Sequence, residues 1–257
     1  MKFVQFVFLL LIPALAACAP QPLTVTPEPV TLHLAVSDAC AEPVGALALA
    51  YHRQKPWVAI EMEVWNDALA RERLEAGAAD VAALIWTEGG SSLWTHPFAD
   101  DALAIIVHPA VPVEGLTLTE LREVLRGRIG EWPDGTPVQV VSREEGAGTP
   151  SLIQATVLGQ WDLTLTARVV VDDASMLDLV ARTPGAVGYV PLSRVTGDVR
   201  VLMLDGRPPA PTADYPLSYA CRWAARAEPT GALRDWLQWT VGPQGQPIVE
   251  QALRPGP

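Results

Sequence analysis

The stretch "SREEGAGT" at 142–149 combines side chains and a turn that could bind an oxyanion. It follows the apolar run "VQVV" and precedes "PSLIQATVLG", so the pattern predicts a glycine-rich turn between a strand and a helix. Such a turn directs backbone N–H groups toward one point, near the positive end of the helix dipole. Arg143 would add a planar pair of donors and Thr149 a hydroxyl, both suited to a tetrahedral anion.

Taken by itself, the same stretch also fits an ordinary surface turn. Charge-assisted hydrogen bonds contribute about 1.5–3 kcal/mol each, whereas micromolar binding requires about 8 kcal/mol in total. Several such contacts in a dry cleft are therefore needed. The carboxylates of Glu144 and Glu145 would oppose an anion if they faced it, so an anion site requires that both point outward.

The elements around this loop predict an α/β fold, because strands and helices alternate along the chain. Ahead of the loop we predict strands at 31–37, 57–65, 79–86 and 101–109, with helices within 42–56, 67–77 and 116–132. Thr119 could cap the third helix. From the loop onward we predict strands at 137–142, 167–173, 186–193, 199–204 and 215–224, with helices at 149–159, 174–185 and within 230–253. Asp172 or Asp173 could cap the helix at 174–185.

The first residues predict export. Residues 1–17 contain one lysine, an apolar stretch and then small residues, which is typical of a secretory signal peptide. "Leu15-Ala16-Ala17-Cys18" resembles the lipobox of bacterial lipoproteins, which implies cleavage before Cys18 and its acylation. An ordinary signal peptide with a nearby cysteine is the alternative. The Pro- and Thr-rich residues 18–30 fit an extended tether, so the folded part would be extracytoplasmic and lipid-anchored to the cell membrane.

The charge of the chain excludes one class of partner. Cleavage would remove Lys2 and leave 17 basic against 29 acidic residues, a net charge of −12. A surface this acidic does not attract nucleic acid, so local donors must bind any anion. Outside the signal peptide the sequence contains no run of about 20 apolar residues, so no membrane-spanning helix is predicted there.

Two further cysteines, Cys40 and Cys221, could form a disulfide, which export permits. Two free buried thiols are the alternative. The four histidines are scattered without metal-like spacing, so we predict no metal site and no cofactor. Ser142 and Ser151 have no histidine and acid positioned to activate them. We therefore predict no catalytic residues and no enzymatic activity.

Four stretches, in order along the chain, resemble the phosphate-binding proteins that feed ABC transporters. Residues 142–149 are similar to the family's Arg-x-x-Gly-Ser-Gly-Thr loop, and "VEGLTLTELREVLRGRIGEW" to the segment ahead of it. "VARTPGAVGYV" is similar to Pro-Gly-Ala-Ile-Gly-Tyr-Val, and "DYPLSYACRWAA" with "LRDWLQWTVGPQGQPIVEQAL" to the closing region. The resemblance implies an α/β, two-lobe type II periplasmic binding protein fold with a two-strand hinge and a central cleft. Lobe 1 would comprise 31–105 and 213–257, and lobe 2 would comprise 106–212.

The resemblance also implies a set of ligand-binding residues. In the second lobe Arg143, Gly148 and Thr149 match the family, and Ala147 replaces a serine so that only its N–H remains. The full predicted set is Arg143, Gly146, Ala147, Gly148, Thr149, Ser37, Asp38, Ala39, Cys40 and Asn66. In the first lobe Ala39 and Cys40 stand where hydroxyl and amide donors are expected, and Asn66 could donate in place of a serine.

The chain departs from the family most clearly at Leu84–Trp86, which is apolar where the family has an acidic residue. Hydrogen phosphate can donate its proton to a carboxylate, whereas sulfate cannot, so an acceptor in the cleft selects phosphate. Asp38 could supply that acceptor. It could equally cap the first helix, in which case a different or larger anion would fit.

Together these features predict a solute-binding lipoprotein that captures phosphate or a related oxyanion and passes it to an ABC permease. The lobes would close on the anion as a population shift, and the protein would act as a monomer. The alternative is a transport-inactive sensor or interaction lipoprotein that binds a different ligand on the same fold. Permease and ATPase genes beside its own gene would favour transport.

Overall fold

The computed structural model of the protein describes residues 28–85 and 92–254. Eleven strands lie within these ranges, and several are only two or three residues long. In chain order they are β1 (Val30–Ser37), β2 (Val58–Trp65), β3 (Val81–Leu84), β4 (Trp94–Val107), β5 (Gly115–Leu116), β6 (Gln139–Arg143), β7 (Arg168–Val170), β8 (Ala186–Pro191), β9 (Arg200–Val201), β10 (Met203–Leu204) and β11 (Ser218–Ala225).

The α-helices of the same ranges alternate with the strands. They are α1 (Ala41–Gln54), α2 (Asp67–Glu75), α3 (Leu118–Leu125), α4 (Gly148–Ile153), α5 (Asp173–Arg182), α6 (Gly231–Thr240) and α7 (Gln246–Ala252). A π-helical turn at Gln154–Leu158 continues α4, and 3₁₀ turns lie at Asp38–Cys40 and Leu192–Arg194. None of the described helices is both long and apolar enough to cross a bilayer.

The strands form one twisted sheet in the order β2-β1-β3-β11-β4-β8-β6-β7, with β9 beside β4. Strand β1 pairs in parallel with β2 and β3, and β6 pairs in parallel with β7 and β8. Between these two parallel groups lie the antiparallel strands β11 and β4. Strands β5 and β10 form a separate small ladder.

Strand β4 crosses between the two parallel groups. Its first part, Trp94–Ala102, pairs with β11, and its second part, Leu103–Val107, pairs with β8. We call β1–β3, β11, the first part of β4 and helices α1, α2, α6 and α7 the first lobe. The second part of β4, β5–β10 and α3–α5 form the second lobe.

The chain returns beside this crossing. The Leu103 N–H donates to the Leu217 carbonyl at 2.8 Å, and the buried Tyr215 hydroxyl donates to the Leu103 carbonyl at 3.0 Å. Two adjacent segments therefore connect the lobes, as the predicted two-strand hinge requires.

Large aromatic side chains organise the core of the first lobe. Trp223 of β11 stacks on Phe98 with ring centroids 4.2 Å apart, and its other neighbour is Trp236 of α6. Both tryptophans are fully buried. The Trp223 indole donates to Thr240 at 3.0 Å, so the buried polar group is satisfied. This core supports the sheet at whose edge the first-lobe loops lie.

Most predicted elements are confirmed, and two details are wrong. Strand β4 begins at Trp94, before the predicted residue 101, because its first part pairs with β11. Helix α3 is capped by Thr117 and not by Thr119: the Thr117 hydroxyl accepts from the Glu120 N–H, and Glu120 completes a capping box. Asp172 caps α5, as predicted, by accepting from the Ser175 N–H at 2.7 Å.

Candidate functional site

The carboxyl ends of the parallel strands from both lobes meet in the cleft between the lobes. Strand β1 ends at Ser37 and β6 ends at Arg143. The Arg143 guanidinium reaches Asp38, the residue after Ser37, with 2.6 Å between Nη2 and Oδ2. The backbones also touch, because the Ala68 N–H donates to the Gly146 carbonyl at 2.9 Å. The lobes are therefore in contact along the predicted ligand loop.

Two glycines allow this close contact. Gly146 has φ +95°, in the left-handed region that favours glycine. At Gly148 a Cβ atom would overlap Ile85 Cγ1 and lie 2.6 Å from the carboxyl carbon of Asp67. Any larger residue at Gly148 would therefore push the loop away from the first lobe.

Thr149 carries a polar group without a protein partner. It is 2% exposed, and its hydroxyl makes no hydrogen bond within the described part of the chain. Buried hydroxyls are normally paired, so this oxygen is available to a ligand. The nearby Ala147 N–H donates to the Glu144 carbonyl in a long bond of 3.3 Å.

Arg143 is buried and surrounded by acceptors. Its Nη1 donates to Asp173 at 2.8 Å, its Nη2 to Asp38 at 2.6 Å and to the Val171 carbonyl at 2.9 Å, and its Nε to Glu144 at 3.2 Å. Burial acts to lower the pKa of the guanidinium, but the carboxylates of Asp38 and Asp173 raise that pKa above its ordinary value. The site therefore contains one fixed positive charge enclosed by several negative ones.

The sequence predicted the positions of the acidic residues around Arg143 only in part. The expectation that Glu144 points outward is wrong, because its carboxylate bonds the Arg143 guanidinium; Glu145 is exposed, as expected. Asp173, the first residue of α5, is nearly buried. Burial raises its pKa to about 6, with Arg143 opposing the rise and Asp38 adding to it.

The end of β6 is held by Tyr189 of β8. The Tyr189 and Ser142 hydroxyls are 2.7 Å apart, and the Arg143 N–H donates to the Tyr189 oxygen at 3.4 Å. Burial raises the pKa of Tyr189. Gly188 precedes Tyr189, and a Cβ atom there would lie 2.5 Å from the Met176 sulfur. Within the "GAVGYV" stretch, Tyr189 thus holds the backbone of Arg143, and Gly188 lets α5 pack closely.

The first-lobe loop at 37–40 is bonded within the protein. Ser37 donates to the Asp67 carboxylate, and the Ala39 N–H donates to Asp38 Oδ1 at 2.9 Å. Cys40 forms a disulfide with Cys221 of β11, with Cα atoms 5.9 Å apart, so of the two alternatives left open by the sequence the structure has the disulfide and not two free thiols. Asp38 does not cap α1, which begins after Cys40 without a side-chain cap, because its carboxylate reaches Arg143 instead.

The loop after β2 contains a residue that the sequence analysis missed. The side-chain oxygen of Asn66 caps α2 by accepting from the Leu69 N–H at 2.9 Å, while its amide nitrogen, the group expected to donate to the anion, lies toward Gly146. The neighbouring Asp67 is 5% exposed and accepts from the Ile85 N–H at 2.9 Å. A carboxylate just after the carboxyl end of a parallel strand, β2, was the signal available for Asp67.

A second missed group lies on the hinge strands. The Asp101 carboxylate accepts from Ser193 at 2.7 Å and from the Tyr219 hydroxyl at 3.4 Å. Burial raises the pKa of Asp101. Burial also raises the pKa of Tyr219, and the carboxylates of Asp101, Asp173 and Asp67 raise it further. Tyr219 therefore lies among the acidic groups of the cleft.

Some predicted features lie outside the described residues. These are the signal peptide, the anchor residue Cys18, most of the tether, and Trp86. The predicted apolar wall is described as far as Leu84 and Ile85, which are both buried. Within 28–85 and 92–254 no cluster of histidine, cysteine and acidic residues could hold a metal ion.

Known proteins resemble this chain over most of its length. Residues 24–244 match the model of the PBP superfamily domain. The phosphate-binding protein PstS of Bacillus subtilis (strain 168) is 24% identical over 226 residues, which cover 81% of this chain and 74% of that protein.

Two solved structures share the fold. A protein from Clostridium perfringens, described as a phosphate ABC transporter substrate-binding protein with bound phosphate, superposes with a TM-score of 0.79 and 24% identity over 86% of this chain and 97% of its own. An ABC-type phosphate transport receptor from Vibrio cholerae gives a TM-score of 0.74 and 23% identity over 88% of this chain and 100% of its own. The chain therefore belongs to the PBP superfamily and has the two-lobe type II fold of PstS-like periplasmic binding proteins.

Proposed function

We propose that this protein is an exported solute-binding lipoprotein, anchored through Cys18, that captures phosphate or a related oxyanion and delivers it to an ABC permease. The observation that carries the proposal is the position of Arg143, buried where the lobes meet and on the same strand-turn-helix segment as Thr149, whose buried hydroxyl has no partner among the described residues. The phosphate-binding names of the relatives support the same class of ligand.

The anion would be bound mainly by the second lobe. Arg143 would supply charge-assisted hydrogen bonds, Thr149 its hydroxyl, and Gly146, Ala147 and Gly148 their N–H groups. Of the residues predicted in the first lobe, Ser37, Ala39, Cys40 and Asn66 would contribute, whereas Asp38 is bonded to Arg143. The lobe limits predicted from the sequence, 31–105 with 213–257 and 106–212, remain part of the proposal.

We place the acceptor for the phosphate proton at Asp67, not at Asp38. The Asp67 carboxylate is buried and lies against Gly148 of the anion loop, whereas Asp38 is bonded to Arg143. Asp67 also accepts from Ile85 and Ser37, which fix its carboxylate in place. An acceptor here would favour hydrogen phosphate over sulfate.

Binding requires no covalent step. An anion that contacts both lobes stabilises the closed arrangement relative to open ones, so closure follows from differential affinity. The protein would act as a monomer, with contacts to the membrane through its lipid anchor and to the permease during delivery.

One observation favours a second candidate, a sensor or interaction lipoprotein without transport. In the first-lobe loop the Ala39 N–H donates to Asp38 and the Cys40 sulfur is bonded to Cys221, so this amide and this side chain do not face an anion in the arrangement described. Such a protein would use the same cleft for a different ligand.

Calorimetry with phosphate, sulfate, arsenate and molybdate tests the proposal. We expect one binding mode, strongest for phosphate and arsenate, and a loss of at least tenfold in phosphate affinity for Arg143→Ala. Arg168→Ala is the matched control, because Arg168 is an exposed arginine on the neighbouring strand β7. No heat with any of the four anions would exclude the anion-binding function, and an unchanged affinity in Arg143→Ala would make the loop structural.

A further inference from the structure

The bonds of Arg143 divide by lobe. Glu144 and Asp173 belong to the second lobe, as Arg143 does, and their carboxylates hold the guanidinium from its own side. Asp38 comes from the first lobe and makes the shortest of these contacts, 2.6 Å. Asp38 is thus the one acidic partner of Arg143, in the part of the chain that the structure describes, whose contact depends on the lobes being together.

Asp38 makes the contacts that an oxyanion oxygen would make. One carboxylate oxygen accepts from the Arg143 guanidinium, and the other accepts from the Ala39 N–H at 2.9 Å. These are a guanidinium of the second lobe and a backbone amide of the first-lobe loop, which is the pair of donors expected to bind the anion from both sides. A carboxylate and a phosphate are interchangeable acceptors for such donors.

The charges around Arg143 prevent both from binding together. The guanidinium already faces three carboxylates, those of Asp38, Asp173 and Glu144. Like charges at such short separations repel strongly in a buried site. An entering anion must therefore replace one of the three, and Asp38 is the one whose contact is released when the lobes move apart, because it lies on a loop of the opposite lobe.

We propose that Asp38 is an intramolecular competitor for the anion site: it bonds Arg143 across the cleft, and the oxyanion binds by displacing it. This inference rests on the proposed function and adds a residue that limits affinity. Asp38 also closes the lobes on each other before the anion arrives, so the energy of the Asp38–Arg143 pair is subtracted from the energy of binding. A higher anion concentration is then needed for occupancy.

The proposal predicts the sign of a substitution. Asp38→Asn removes the negative charge and keeps the size of the side chain, so phosphate affinity should rise at least tenfold. If Asp38 instead accepted the phosphate proton, the same substitution would weaken phosphate relative to sulfate. The matched control is Glu42→Gln, which removes another ion pair between the lobes, Glu42 to Arg194 at 3.2 Å, without touching Arg143. The control should leave phosphate affinity within about twofold.

Two measurements on the full mature chain test the proposal. Calorimetry with phosphate compares the wild type, Asp38→Asn and Glu42→Gln, and small-angle scattering without added anion compares their radii of gyration. We expect tighter binding only in Asp38→Asn, and a larger radius before phosphate is added that contracts afterwards. Equal or weaker binding in Asp38→Asn would overturn the inference alone and leave the anion site standing. Absence of phosphate binding in all three proteins would overturn the proposed function, and the inference with it.

Discussion

The two faces of the cleft are built differently. The second-lobe face carries a cation on a strand end, a glycine loop and an unpaired hydroxyl, represented by Arg143, Gly148 and Thr149. The first-lobe face carries carboxylates, and its loop is fixed by side-chain bonds and a disulfide. The second-lobe face combines donors with the carboxylates of Glu144 and Asp173, whereas the first-lobe face combines carboxylates with a covalent constraint.

This difference shows how one fold can adjust affinity and selectivity separately. In the proposed function, donors on the second lobe would set how strongly an anion is attracted, while the carboxylates Asp67 and Asp38 of the first lobe would set which protonation state is accepted and how easily Arg143 is freed. Because the predicted site residues lie on loops at strand ends, residues on one side can change without disturbing the sheet of the other. The predictions below test how independent the two faces are.

The largest expected effect concerns the disulfide of the first-lobe face. Cys40→Ser with Cys221→Ser should lower the free energy of unfolding by about 2–5 kcal/mol, as removal of a native disulfide usually does. Denaturant titration measures the loss, and a reductant should destabilise the wild type but not the double variant. By hydrogen exchange, amides at 37–41 should lose protection while those at 142–149 keep it. Equal loss on both faces would contradict their independence.

The next effect concerns the contact between the faces. Gly148→Ala introduces a methyl group that overlaps Ile85 and meets Asp67. Overpacking of this kind costs about 1–3 kcal/mol, here against the closed arrangement, so phosphate affinity should fall about tenfold and the radius of gyration should rise. Gly130→Ala is the control, because no atom lies within 4 Å of a Cβ built there. If both variants bind alike, the loop does not press on the first lobe.

The sequence predicted the second-lobe face better than the first, for a physical reason. Arg143, the glycines and Thr149 act largely through local geometry, a turn between a strand and a helix, which a short sequence pattern specifies. Asp38 bonds a residue 105 positions away along the chain. Asp67 bonds residues 18 or more positions away. No local pattern fixes whether such a carboxylate caps a helix or crosses a cleft.

The same limit explains the error at Glu144. A carboxylate next to an arginine in sequence was expected to avoid an anion site, yet it folds back onto the Arg143 guanidinium. A buried cation attracts every acceptor within reach. The sequence-based prediction considered only the anion as a partner of Arg143. It therefore underestimated how many of the protein's own acidic groups would bond this guanidinium.

A smaller effect should appear in the pH dependence. Asp173 has a pKa of about 6, above its ordinary 3.8, because it is buried, with Arg143 opposing and Asp38 adding to the rise. A raised carboxyl pKa stabilises the folded state fully below about pH 4, and this contribution is lost as the pH rises through about 6. An anion beside Asp173 raises the pKa further, so protonation of Asp173 accompanies binding.

Comparison of the wild type with Asp173→Asn isolates this effect, because the titration of phosphate itself is common to both. Between pH 5 and 7 the wild type should lose up to about tenfold more phosphate affinity than Asp173→Asn. A tenfold difference corresponds to a change of about one unit in the pKa of Asp173 on binding. The other charged neighbours, Asp38, Glu144 and Arg194, are unchanged in the variant. Parallel profiles from calorimetry at several pH values would mean that Asp173 does not respond to the anion.

The smallest effect separates binding from stability on the second-lobe face. Thr149→Val replaces the hydroxyl by a methyl group of similar size, so phosphate should lose one neutral hydrogen bond, about 0.5–1.5 kcal/mol or two- to tenfold in affinity. The free energy of unfolding should be unchanged or higher, because this buried hydroxyl has no partner among the described residues. Ser151→Ala is the control, because the Ser151 hydroxyl already has a partner in the protein, the Ala147 carbonyl at 3.4 Å. This substitution should leave phosphate affinity intact. Reduced stability with unchanged affinity in Thr149→Val would place this hydroxyl in the fold and not in the anion site.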